Sequence, residues 1–192
     1  MCGRYYIDEN DPLLRGFVDA ARRKGEVKSG EVFPGDTAAV VANNRKLEPG
    51  VFTMRWGMER PGGGLVINAR SETAANKPMF RESARLRRCL VPASWYFEWE
   101  RRPDGKTKYA LRPERGGIVY LGGLYTLGSD GTPRFTILTR DAAPGIAFIH
   151  DRMPVLVPPE KRDDWLSQQL TLDELLSYAE TDVKYKEPNN IE

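Results

Sequence analysis

Two cysteines and a single histidine are the only thiol and imidazole groups in the 192 residues. Cys2 and Cys89 cannot build the disulfide framework of a small secreted domain, which points to a reducing compartment and hence the cytoplasm. Together with His150 they give three scattered possible ligands and no C-x-x-C pair, so neither a metal centre nor a cofactor is expected. No apolar run approaches the roughly 18–20 residues that cross a bilayer, and no basic segment leading into an apolar stretch opens the chain, so a soluble protein with no membrane partner is expected. Neither sign of charge dominates: 29 basic residues against 27 acidic ones leave a net charge of +2. Bulk charge therefore demands no anionic partner, and any such partner must be met by local clusters. Repeats and linkers are also missing, and the length suits one domain with a sizeable core, working as a monomer.

What is present is punctuated, alternating sequence. Asn10 or Asp11 can cap a helix in which Pro12 takes the first turn and Leu13, Leu14, Phe17, Val18 and Ala21 line one face. Thr171 and Glu174 are spaced as a capping box, and Pro159 can open a further helix ending at Leu166. Between them, Ala38–Ala42, Val51–Trp56, Arg88–Val91, Trp95–Glu100, Lys108–Leu111, Ile118–Leu127, Phe135–Thr139 and Val155–Val157 read as strands. Asp104-Gly105 and Asp130-Gly131 are the best hairpin turns. The expected fold is α+β: a single domain, residues 1–184, with a curved, barrel-like, mostly antiparallel sheet and a few peripheral helices, followed by a loose tail over 185–192.

Four places combine reactive groups with unusual local sequence. Removal of Met1 would leave Cys2 with an amine beside its thiol. Such an aminothiol captures aldehydes, the amine giving an imine and the thiol closing a thiazolidine ring. Position alone favours a plainer reading, an early residue of the first strand. Asn68 follows the apolar Leu65-Val66-Ile67 and could simply cap a turn. Glu98 alternates with Phe97 and Trp99, so it shares a strand face with Tyr96. A carboxylate among aromatics acquires a raised pKa suited to proton transfer, although Glu100 on the same face suits an ordinary surface glutamate. His150 follows Ala147-Phe148-Ile149, and Asp151 and Arg152 beside it could set its tautomer and pKa; a lone histidine serves structure equally. Cys89, between Arg88 and Leu90, reads as a buried strand residue.

In this order, Cys2-Gly3-Arg4, Asn68-Ala69-Arg70-Ser71-Glu72, Trp95-Tyr96-Phe97-Glu98-Trp99 and His150-Asp151-Arg152-Met153-Pro154 resemble the SRAP family, the SOS response-associated peptidases whose members recognise and crosslink abasic sites in single-stranded DNA. The resemblance runs from Met1 to about Val157 and weakens through the final helices. It implies an abasic-site sensor whose Cys2, freed of Met1, forms a covalent thiazolidine with the lesion. Asn68 would orient the cysteine. Glu98 would transfer protons during opening of the deoxyribose and imine formation, and His150 would polarise the aldehyde and shuttle protons. Arg4, Arg70, Arg81 and Arg152 would contact phosphates, and Trp56, Met79, Pro34 and Thr139 would neighbour the pocket or offer apolar surface. Where some relatives place a pair of tryptophans, this chain has Pro61-Gly62-Gly63-Gly64, which supplies no aromatic platform. Two other readings stay open: a cysteine peptidase or N-terminal-nucleophile amidase acting through the Cys2 thiol, whether on other substrates or on Met1 alone, and a DNA-binding module without catalysis.

Overall fold

In the computed structural model, which describes residues 2–187, the alternating segments become strands β1 (Tyr5–Ile7), β2 (Gly30–Val32), β3 (Thr37–Asn43), β4 (Pro49–Trp56), β5 (Met58–Glu59), β6 (Leu65–Val66) and β7 (Asn68–Arg70). The series continues with β8 (Arg88–Ala93), β9 (Trp95–Arg102), β10 (Gly105–Pro113), β11 (Val119–Leu127), β12 (Pro133–Asp141), β13 (Arg152–Pro154) and β14 (Val183–Lys186). The helices are α1 (Pro12–Arg22), α2 (Ser71–Ala74), α3 (Arg81–Leu86), α4 (Arg162–Leu166) and α5 (Leu172–Leu176).

Strands β11, β8, β3, β4 and β12 neighbour one another in that order, and β11 also pairs with β12, so the sheet closes into a barrel. Closure removes the two free edges that an open sheet would leave. The pairings are antiparallel except where β12 runs parallel to β4 and, farther along, to β7. β13 adds to the other edge of β12. A second sheet, ordered β14-β10-β9-β1-β2, leans on the barrel. The chain passes between the sheets through Ser94, whose N–H donates to the Tyr6 carbonyl at 2.7 Å and whose hydroxyl accepts from the Asp8 N–H at 2.9 Å.

Two glycines on β11 permit the close packing of the closed barrel. A Cβ on Gly122 would lie 2.6 Å from the Trp165 ring, and one on Gly123 would lie 2.8 Å from the Thr136 carbonyl oxygen. Trp165 is itself held by its indole N–H, which donates to the Cys89 carbonyl at 2.9 Å. Cys89 is buried, as expected of a strand residue at this position.

α1 forms where expected, with Asp11 as the cap accepting from the Leu13 N–H and Leu14, Val18 and Ala21 buried. The Thr171–Glu174 capping box is complete. From Pro159 the chain makes a 3-10 turn over Pro159–Lys161 and then α4. Three expectations shift. The run Val155–Val157 is no strand: the Val155 N–H donates to Leu138 of β12 and the Val157 N–H to Tyr120 of β11, so these residues cross between two strands. The β9–β10 hairpin turns at Pro103 and Asp104, and Gly105 opens β10 opposite Arg102. The segment read as a loose tail begins inside β14, where Tyr185 and Lys186 pair with Leu111 and Ala110; residues 188–192 lie outside those described. Among the described residues no helix is long and apolar enough to cross a membrane.

Candidate functional site

Cys2 is fully enclosed, in the same core cluster as Tyr5, Trp56 and Tyr96. Its Sγ lies 3.9 Å from the Arg4 carbonyl oxygen, a weak donor contact. Burial pushes the thiol well above its ordinary range, and the charge of Glu98 adds to the effect. Asn68 reaches this residue from the barrel side: its Nδ2 donates to the Cys2 carbonyl at 2.8 Å. The position of Asn68 is fixed twice. It lies opposite Ile137 in the parallel β7–β12 pairing, and the preceding Ile67 carbonyl accepts both the Ile137 N–H and the Trp56 indole N–H, each at 3.0 Å.

Glu98 comes from the second sheet, where β9 places it opposite Tyr109 and two residues beyond Tyr96. It is only 4% exposed. Burial raises its carboxyl to about 7, with the Asp151 charge adding to the shift, so it is divided between acid and base near neutrality. Phe148 meets Tyr109, the residue opposite Glu98, with 6.0 Å between ring centroids, so the segment that follows Ile149 starts beside this sheet. In that segment the Nδ1 of His150 accepts from the Arg152 N–H at 2.9 Å and lies 2.8 Å from an Asp151 carboxylate oxygen. These contacts ask for opposite things: the N–H wants a bare nitrogen and the carboxylate a protonated one. Burial is the largest influence and lowers the pKa of His150, so the bare Nδ1 prevails and Nε2 carries the proton.

The residues expected along DNA divide into two groups. Pro34, Arg70, Met79 and Arg81 are exposed, and Arg4 is partly so. Arg4 pairs with Glu31 at 3.1 Å and lies over the rings of Phe33 and Trp99. Trp56, Thr139 and Arg152 are buried, as Cys2 and Glu98 are. Trp56 stacks on Phe135 with 6.1 Å between centroids. Thr139 faces β7, and its carbonyl accepts from Arg152 at 2.7 Å. Arg152 grips both carboxylate oxygens of Glu72, at 2.7 and 2.9 Å, and also pairs with Asp141, so its two terminal nitrogens are committed inside the protein, while its buried Nε has no partner among the described residues.

Two further groups carry no mark in the sequence beyond a shared strand face. The hydroxyls of Tyr5 and Tyr96 are buried and have no hydrogen-bond partner among the described residues. Just past the Trp56 end of β4, Gly62, Gly63 and Gly64 all take positive φ in the turn between β5 and β6. That turn borders a cavity of about 510 Å³ lined by Arg55, Glu59, Arg60 and Arg134, in which Arg134 pairs with Glu59 at 2.9 Å.

The family model described as SOS response associated peptidase (SRAP) matches residues 1–187. The abasic site processing protein YoqW of Bacillus subtilis is 33% identical over 189 residues, spanning 89% of this chain and 82% of its own. The abasic site processing protein YedK of Escherichia coli is 30% identical over 109 residues, 55% of this chain and 49% of its own. A crystal structure of a protein from Bacteroides thetaiotaomicron superposes with a TM-score of 0.80 at 21% identity, covering 98% of this chain and 93% of that one, a likeness of fold.

Proposed function

Given that the chain belongs to the SRAP family, we propose that it processes abasic sites in single-stranded DNA, acting as a monomer and becoming covalently joined to the lesion through Cys2 once Met1 has been removed. The observation that carries this reading is the 2.8 Å hydrogen bond from Asn68 to the Cys2 carbonyl. It spends a side-chain amide on the backbone of a residue whose chemistry depends on where its amine points.

In the proposed reaction the abasic deoxyribose opens to its aldehyde with proton transfer by Glu98, for which a pKa of about 7 is well matched. The Cys2 amine, with an ordinary pKa near 8, is roughly a tenth neutral at pH 7 and adds to the aldehyde carbon. Water leaves with a proton from the carboxyl of Glu98 and the nitrogen gives its own proton to solvent, giving the neutral imine and leaving Glu98 as the carboxylate. The thiol then adds across the C=N bond: sulfur bonds to carbon, and the thiol proton ends on nitrogen. Neutral His150 presents its protonated Nε2 as donor to the aldehyde oxygen. Holding amine and thiol against one carbon replaces a second encounter by ring closure, an advantage of several kcal/mol. Arg4, Arg70 and Arg81 supply phosphate contacts, with Pro34 and Met79 beside them.

The enclosure of Cys2 also favours confining any peptidase step to the Met1–Cys2 bond. The thiol would take the Met1 acyl group as a thioester, and water would release methionine and the free amine.

The test is a denaturing gel of purified protein mixed with a single-stranded oligonucleotide bearing one abasic site. A shifted band is expected, absent with Cys2→Ala, and the N-terminal tryptic peptide should lack Met1. A wild-type sample without the band overturns the reading.

A further inference from the structure

β1 and β9 bring two tyrosine hydroxyls into the core cluster that holds Cys2, and no group among the described residues satisfies either of them. Tyr5 and Tyr96 stand directly opposite one another in register, and both are 0% exposed. Directly opposed residues project to the same side of a sheet, and Glu98 lies two residues beyond Tyr96, so all three share one face. A buried hydroxyl without a partner costs stability, and a phenylalanine at either position would fill the same space without that cost. The neighbouring Tyr109 behaves differently: its hydroxyl donates to Glu100 at 2.9 Å and accepts from Arg102 at 2.7 Å. Burial holds the Tyr5 and Tyr96 hydroxyls protonated well above the ordinary tyrosine range, and in both cases the charge of Cys2 is the next influence. For Tyr96 the remaining influence is Glu98.

We infer that Tyr5 and Tyr96 are hydrogen-bond donors reserved for the Cys2 sulfur, idle while it is a thiol and engaged when it becomes a thiolate. The inference rests on the reading of Cys2 as an aldehyde trap and adds two catalytic residues to it. In the ring-closing step the thiol proton passes to the Glu98 carboxylate, and the resulting sulfur anion accepts both O–H groups. Sulfur then attacks the imine carbon, the C=N electron pair moves to nitrogen, and nitrogen takes the proton back from Glu98. The tyrosines transfer nothing. They oppose charge that exists only along the reaction path, which is where a fixed donor accelerates a step. In the resting thiol the long Cys2–Arg4 contact asks nothing of them.

The experiment compares wild type, Tyr96→Phe, Tyr5→Phe and Tyr109→Phe, each checked by mass for removal of Met1. Three readings are taken: the rate of crosslinking to an abasic oligonucleotide, the rate of thiazolidine formation with acetaldehyde from intact mass, and the melting temperature. Each hydroxyl bonded to a charged sulfur should be worth about tenfold in rate. Tyr96→Phe and Tyr5→Phe should therefore react about tenfold more slowly with both aldehydes, while melting at or above the wild-type temperature. The pH at which their rates level off should move upward by about one. Tyr109→Phe should melt lower and react at the wild-type rate. Phenylalanine variants reacting within twofold of wild type, with an unmoved pH profile, overturn the inference. A wild type that captures acetaldehyde but not the oligonucleotide, with both variants slowed, overturns the DNA function and leaves the donor pair standing. A wild type that captures neither overturns both.

Discussion

Asn68 Nδ2 donates to the carbonyl oxygen of Cys2 at 2.8 Å, joining the closed barrel to the amino-terminal segment across a sequence separation of 66 residues. This bond fixes a peptide plane whose other substituents determine where the residue 2 amine and thiol point. Its loss should be felt in rate far more than in binding. Asn68→Ala is expected to slow crosslinking about tenfold, the worth of one well-placed hydrogen bond in a near-attack geometry, with DNA affinity within about twofold of wild type. Single-turnover gels and anisotropy titrations separate the two quantities. Asn68→Asp should be slower still, because it places a second acceptor against the carbonyl.

Glu98 makes stability depend on pH with a definite sign. Its carboxyl titrates at about 7 in the folded protein against an ordinary 4.5. Between these values the unfolded chain releases a proton that the folded protein keeps, so this contribution is complete below about pH 4.5 and is lost as pH rises through 7. The loss amounts to something on the order of 3 kcal/mol. His150, whose pKa burial lowers, acts in the opposite direction, its contribution being present at higher pH and lost on acidification. It does so in both proteins, so the difference between wild type and Glu98→Gln isolates the carboxyl. Urea denaturation at about pH 5 and about pH 8 should show wild type losing stability relative to the glutamine variant.

Arg152 and Arg70 should respond to truncation in opposite ways. Arg152 is 10% exposed at its side chain and holds Glu72, Asp141 and the Thr139 carbonyl. Arg152→Ala should cost about 2–4 kcal/mol by thermal melting, somewhat below a fully buried pair because Glu72 and Asp141 reach solvent. Arg70 is exposed, and Arg70→Ala should leave the melting temperature unchanged while reducing the salt dependence of single-strand binding by about 0.7 in logarithmic slope.

The barrel seam gives a prediction independent of function. A methyl group at Gly122 would meet the Trp165 ring, which its hydrogen bond to Cys89 keeps in place. Gly122→Ala should destabilise by about 1–3 kcal/mol, read as a lower melting temperature with unchanged DNA affinity.

Long elements with local signals could be read from the sequence. Asp11 and Pro12 announce α1, and the alternation of Trp95 to Glu100 announces the strand that bears Glu98. β7 could not be read, because its three residues owe their extended form to a parallel partner, Ile137–Thr139, far along the chain. The same blindness affected the arginines. Residue type alone makes Arg152 a phosphate ligand; only the fold reveals that Glu72 and Asp141 already occupy it. Trp56 likewise reads as a platform until its ring is found between Tyr5 and Phe135. The four reactive residues stand out through the resemblance of their motifs to the family, but their mutual geometry depends on two sheets meeting.

The separation bridged by Asn68 and Cys2 also orders events in time. Cys2 precedes Asn68, Glu98 and His150 in the chain, and contacts of such range form only once the intervening segments are present. If removal of Met1 depends on those residues, the amine stays capped throughout synthesis. The nascent chain then carries no aminothiol to be lost on stray aldehydes, and the reagent is released only inside the pocket built to control it.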